Sequence, residues 1–182
     1  MCTCDGQTHE IPKRWDMIIA FPPCTFLSNA GARFLYPKGI LNRERYAKGI
    51  KAKEFFMRFY NADCDKIAIE NPVSSTVYGM PKWKQEIEPW MFGHEVTKKT
   101  RLWLKGLPLL YPTKIVKPIT TYLPAFTSRK DRSKYGSCSR NGNDSVQRSK
   151  TFPGIAKAMA EQWAGQDVRP AYEQGVLFEC EE

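Results

Sequence analysis

The 182-residue chain carries 28 Lys and Arg against 19 Asp and Glu, a net charge of +9, with 42% apolar residues. That length gives one domain enough chain for a core, and the apolar share excludes wholesale disorder. No apolar stretch approaches the roughly 18 residues of a membrane span, and the start MCTCDGQTHE lacks a signal peptide's apolar core.

These features lead us to expect a soluble, cytoplasmic protein with no membrane partner, and the positive charge suits DNA or a phosphorylated, nucleotide-type small molecule. Residues 1–14 read as an extension. Cys2, Cys4 and His9 lie there without the second close pair that would complete a tetrahedral zinc site. The six cysteines are irregularly spaced and read as reduced thiols, with no metal expected.

Met17 to Phe21 is a short apolar run stopped by Pro22 and Pro23, the pattern of a buried strand. Cys24 follows the prolines, which restrict the backbone around it. After a turn-rich stretch (NAGARFLYPKG), Arg43 to Asn61 has helical spacing, with Tyr46, Ile50, Phe55, Phe56 and Phe59 near one face. Lys66 to Glu70 is a second apolar strand, stopped by Asn71 and Pro72. Strand, helix and strand in this order imply a parallel pair with both following loops at one edge.

Val73 to Gly93 is irregular and aromatic; Trp83, Trp90 and Phe92, with Trp103 further on, read as core rather than as a base-stacking platform. Arg101 to Leu104 is a third strand, ended by Gly106 and Pro108, and residues 111–124 read as an extended connection. Thr127 to Lys150 is the most polar segment and reads as a mobile loop. Its Arg129, Lys130, Arg132 and Lys134 suit nucleic-acid contact and a solvated surface equally. Pro153 to Ala164 returns to helical spacing, and 166–182 reads as a tail.

Two strand ends thus deliver Cys24 and Glu70 to one sheet edge, where open α/β sheets bind their ligands. A thiolate attacks electrophilic carbon, and a nearby carboxyl group protonates a ring nitrogen. The pair suits addition to C6 of a pyrimidine with a proton delivered at N3. Lys99 and Arg101 would add positive charge at the same edge.

Pro-Cys after a strand with a following Phe-x-Ser, then Glu-Asn after the next strand, resembles motifs of the DNA cytosine-C5 methyltransferases. The likeness is nearer to short phage-type members, at WDMIIAFPPCTFLSNAG, IAIENPV, EPWMFGHEVTKKTRLWLKGLP and TFPGIAKAMAEQW. The resemblance implies Cys24 as nucleophile and Glu70 as base reader and acid. Pro22, Pro23, Ser28, Asn71, Pro72, Lys99 and Arg101 would contact substrate, and S-adenosylmethionine would be the donor. Glu-Asn-Pro stands where the family has Glu-Asn-Val, and the family's glycine-bearing donor loop has no counterpart ahead of Trp15.

The fold expected is therefore α/β: a truncated Rossmann-like methyltransferase core over residues 15–165, a mostly parallel sheet flanked by helices. The function expected is cytosine-C5 methyltransferase-like action on, or binding of, a pyrimidine nucleotide or DNA. The alternative is a catalytically silent nucleotide-binding protein, of a phage-type sequestering or anti-defence kind. A homo-oligomer that completes the donor site is a third possibility.

Overall fold

A computed structural model describes residues 15–32, 34–121 and 151–164. The extension at 1–14, the basic segment with Arg129, Lys130, Arg132 and Lys134, and the tail lie outside the described residues. Contacts divide the chain into two compact units. The first runs over described residues to 85 and again from 101 to 107, and the second takes 86–100 and 108 onward.

In the first unit β1 (Ile18–Ala20) leads through a short helix, α1 (Asn29–Ala32), into α2 (Arg43–Tyr60). β1 is shorter than the apolar run because Pro22 and Pro23 end ladder bonding beyond Phe21. Helix α2 starts where Asn42 Oδ1 accepts from Arg45 N at 2.9 Å, a side-chain cap for an otherwise orphaned donor. β2 (Ile67–Pro72) then pairs parallel with β1, in the register Ile18 with Ile67, Ile19 with Ala68 and Ala20 with Ile69. With β3 (Gln85–Ile87) and β5 (Thr100–Lys105) it forms a four-stranded sheet in the order β1-β2-β5-β3. The β1–β2 pair is parallel as expected, but the sheet as a whole is mixed, not parallel throughout.

The core of this unit gathers Leu27, Leu35, Phe56, Ile67, Ile69, Tyr78 and Trp103. Trp103 meets Phe56 edge-to-face at 5.1 Å, and its Nε1 donates to Pro81 O at 2.8 Å. Each such side chain contributes about 1.5–3 kcal/mol by leaving water. Of the helix face expected from periodicity, Phe56 is buried, Ile50 and Phe59 are half-buried, and Tyr46 and Phe55 stay exposed. The inward stripe is narrower than the sequence pattern because Gly49, not a larger residue, faces the Tyr78 ring.

In the second unit β4 (Val96–Thr97) pairs parallel with β6 (Thr120–Thr121), so the extended connection ends in a strand. Helix α3 (Pro153–Trp163) buries Ile155, Ala158, Met159 and Trp163, one face of a 3.6-residue period. Gln162 bonds both the N–H and the carbonyl of Tyr111, at 2.8 and 2.9 Å, and Trp163 Nε1 donates to Pro108 O at 3.1 Å. No helix among the described residues is long and apolar enough to cross a membrane.

Candidate functional site

Pro22 is buried directly after β1, and its carbonyl accepts from Asn71 Nδ2 at 3.1 Å. Asn71 is 1% exposed, so this bond ties the β1 and β2 ends together out of water. Half-buried Cys24 then opens a helical turn: its carbonyl accepts from Leu27 N at 3.1 Å and Ser28 N at 3.0 Å. Leu27 anchors that turn in the core, and buried Ser28 accepts through Oγ from Gly31 N at 3.3 Å.

The loops after the two strands also bond to each other. Asn29 N donates to Val73 O at 2.9 Å and Ser75 N to Leu27 O at 2.7 Å, around an antiparallel bridge of Ser28 with Ser74. Glu70 and Asn71 are successive strand residues and project to opposite faces. Asn71 turns toward Pro22, whereas Glu70 is half-buried on the other face, and Pro72 closes the strand. Asn71 Oδ1 and Ser74 Oγ are buried without a hydrogen-bond partner among the described residues. Each such atom costs about 1–3 kcal/mol of desolvation where nothing compensates it.

Arg45 holds the loop from the helix side. Its Nη2 donates to Gly31 O at 3.2 Å and Thr25 O at 3.4 Å, and its guanidinium lies 5.0 Å from the Phe26 ring centroid and 5.2 Å from that of Phe34. A Cβ on Gly31 would overlap the Thr25 carbonyl, so only glycine allows this close turn. Periodicity could not single out Arg45, because Arg43 and Lys48 look identical in a helical pattern. Its role arises from the chain reversal before Asn42.

The two expected cations have different neighbours. Arg101 stacks on Trp83 at 4.9 Å in the first unit, while Lys99 pairs with Glu86 at 3.3 Å in the second. Lys99 is exposed and Glu86 half-buried, a surface pair of about 0–1 kcal/mol. Of the aromatics read as core, Trp103 and Phe92 are buried, and Trp83 and Trp90 are half-buried. Among the described residues no group of three His, Cys, Asp or Glu could hold a metal ion.

His94, which carried no sequence signal, caps α3: its Nε2 accepts from Gly154 N at 2.9 Å, and its ring lies 5.2 Å from Phe152. The capping histidine lines a cleft of about 450 Å³ with Glu95, Val96, Lys114, Val116 and Phe152. The signal that could have found it is Phe-Pro-Gly at a helix start, which offers no side-chain cap of its own.

No protein-family model, curated protein or solved structure matches the chain.

Proposed function

We propose that the first unit is a pyrimidine-directed site of the cytosine-C5 methyltransferase type on a truncated Rossmann-like core, acting on a pyrimidine nucleotide or DNA. Cys24 is the nucleophile and Glu70 the group that reads and protonates the ring. The observation that carries this reading is the parallel β1–β2 register, Ala20 opposite Ile69, which sends the Pro-Cys loop and the Glu-Asn end of β2 to one edge.

In that chemistry the Cys24 thiolate forms a bond to C6 of the base. The C5=C6 electron pair moves toward C5, and Glu70 supplies the proton at N3. C5 takes a proton from water; the hydroxide left behind removes a proton from C5, the thiolate is expelled, and N3 returns its proton to the Glu70 carboxylate, which restores base and enzyme, so hydrogen at C5 exchanges with solvent.

S-adenosylmethionine, which the family resemblance implies, needs a glycine-bearing turn open to ligand. The glycines beside this site are filled: Gly31 faces the Thr25 carbonyl and Gly49 faces the Tyr78 ring. Neither turn leaves room for the donor, so the described residues beside this site do not fit it. The same observation favours a second reading, a catalytically silent nucleotide-binding protein.

An oligonucleotide carrying 5-azacytosine separates the two without a donor, because the ring nitrogen at position 5 makes C6 more electrophilic and lets the thiolate adduct accumulate. The expected result is a denaturation-resistant adduct that disappears in Cys24→Ser and forms more slowly in Glu70→Gln. No adduct with the wild-type chain, together with unchanged nucleotide affinity in Cys24→Ser, would establish the silent reading instead.

A further inference from the structure

We propose that residues 34–46 form a docking ridge for a single-stranded nucleic acid beside the Cys24 loop. The proposal deepens the reading above and rests on it for where the strand leads. Phe34 is 49% exposed, Tyr36 48% and Ile40 72%, an unusual concentration of apolar surface in seven consecutive residues.

This surface is built rather than loose. Asn42 N donates to Leu35 O at 2.8 Å and closes the loop across its base. At its tip Lys38 has φ 54° and Gly39 φ 79°; Lys38 is the one non-glycine residue with positive φ among the described residues. A lysine held in the left-handed region is backbone strain of the kind kept at binding sites. Tyr46 extends the aromatic surface by stacking on Tyr78 at 5.8 Å.

Charge selects the occupant. Lys38 and Arg43 are exposed on the same segment, while its acidic residue, Glu44, is neutralised by an ion pair with Lys48. Cations interleaved with exposed rings match a phosphate backbone whose bases are unstacked, and a duplex keeps its base faces covered. A second copy of the chain would bring its own Lys38 and Arg43 against these cations, at a net charge of +9 per chain. Arg45 connects ridge and site, since the guanidinium lying over Phe34 also bonds the Thr25 carbonyl next to Cys24.

The test is fluorescence anisotropy of the full chain with labelled oligonucleotides of about 15 nucleotides: single-stranded DNA, single-stranded RNA and duplex DNA. Phe34→Ala and Tyr36→Ala should each weaken single-strand binding about 5- to 100-fold, the range for loss of one stacked base, and Tyr36→Phe should restore it. The DNA and RNA arms identify which strand is taken. Duplex binding as tight as single-strand binding, or affinity indifferent to both alanine variants, overturns the ridge. So does a dimer in sedimentation that the alanine variants dissolve. The two proposals fail separately: ridge-dependent binding without a 5-azacytosine adduct removes only the chemistry, and an adduct with ridge-independent binding removes only the ridge.

Discussion

Replacing Gly49 by alanine tests the packing that holds α2 beside the site. In a solvent-facing helix this change stabilises by about 1 kcal/mol, because glycine is the more flexible residue when unfolded. Here an added Cβ would fall well inside 3.0 Å of Tyr78 Cε1, Cζ and Oη. The Tyr78 ring cannot swing away cheaply, being 4% exposed, part of the core and stacked on Tyr46. Overpacking of this kind costs about 3 kcal/mol, the upper end of its usual range. The net expectation is destabilisation by about 2 kcal/mol, or a Tm lower by roughly 4–8 °C for a chain of this size. Thermal and urea unfolding of the single variants and the Gly49→Ala/Tyr78→Ala double variant give a cycle. Without the ring, Gly49→Ala should regain its stabilising sign, for a coupling of about 3 kcal/mol. A Tm that rises with Gly49→Ala in the wild-type background would refute the packing argument.

Asn71→Leu removes the bond to Pro22 O; it should cost about 1–3 kcal/mol and speed Cys24 labelling by an aromatic disulfide reagent, read by mass spectrometry. Burial raises the Tyr78 phenol above its ordinary 10.0, outweighing Arg45, which acts to lower it; nearby Tyr46 and Tyr36 raise it further. Folded and unfolded chains are then both protonated below pH 10, so this contribution is complete there; above 10.0 the unfolded chain ionises first and stability falls until the folded group titrates too. Urea midpoints should therefore drop less steeply above pH 10 in Tyr78→Phe than in wild type. His94→Ala leaves Gly154 N without its acceptor and should destabilise by about 1 kcal/mol, with amide exchange rising first at residues 154–156.

The elements carrying Cys24 and Glu70 were legible because local chemistry draws them. Ile18 to Ala20 and Ile67 to Ile69 are apolar runs stopped by prolines, and the α2 and α3 spans follow their helical spacing. Their parallel pairing followed from the intervening helix. Phe55 and Tyr46 share the expected face yet stay exposed, because periodicity reports which side a residue lies on, not how wide the covering neighbour is. Lys99 and Arg101 looked alike two residues apart, yet one meets Glu86 and the other Trp83.

What the sequence determined by itself is the place of β1, β2, α2 and α3, and that a cysteine follows the first of two neighbouring strands while a carboxylate stands near the end of the second. The tertiary structure alone decided how those loops are held: Asn71 on Pro22, Arg45 on Thr25 and Gly31, Ser75 on Leu27. Propensity and proline punctuation act over a few residues, so they can be read along the chain. The loop contacts join groups 14 to 49 positions apart, and which buried N–H meets which carbonyl is fixed only once the core has set the register.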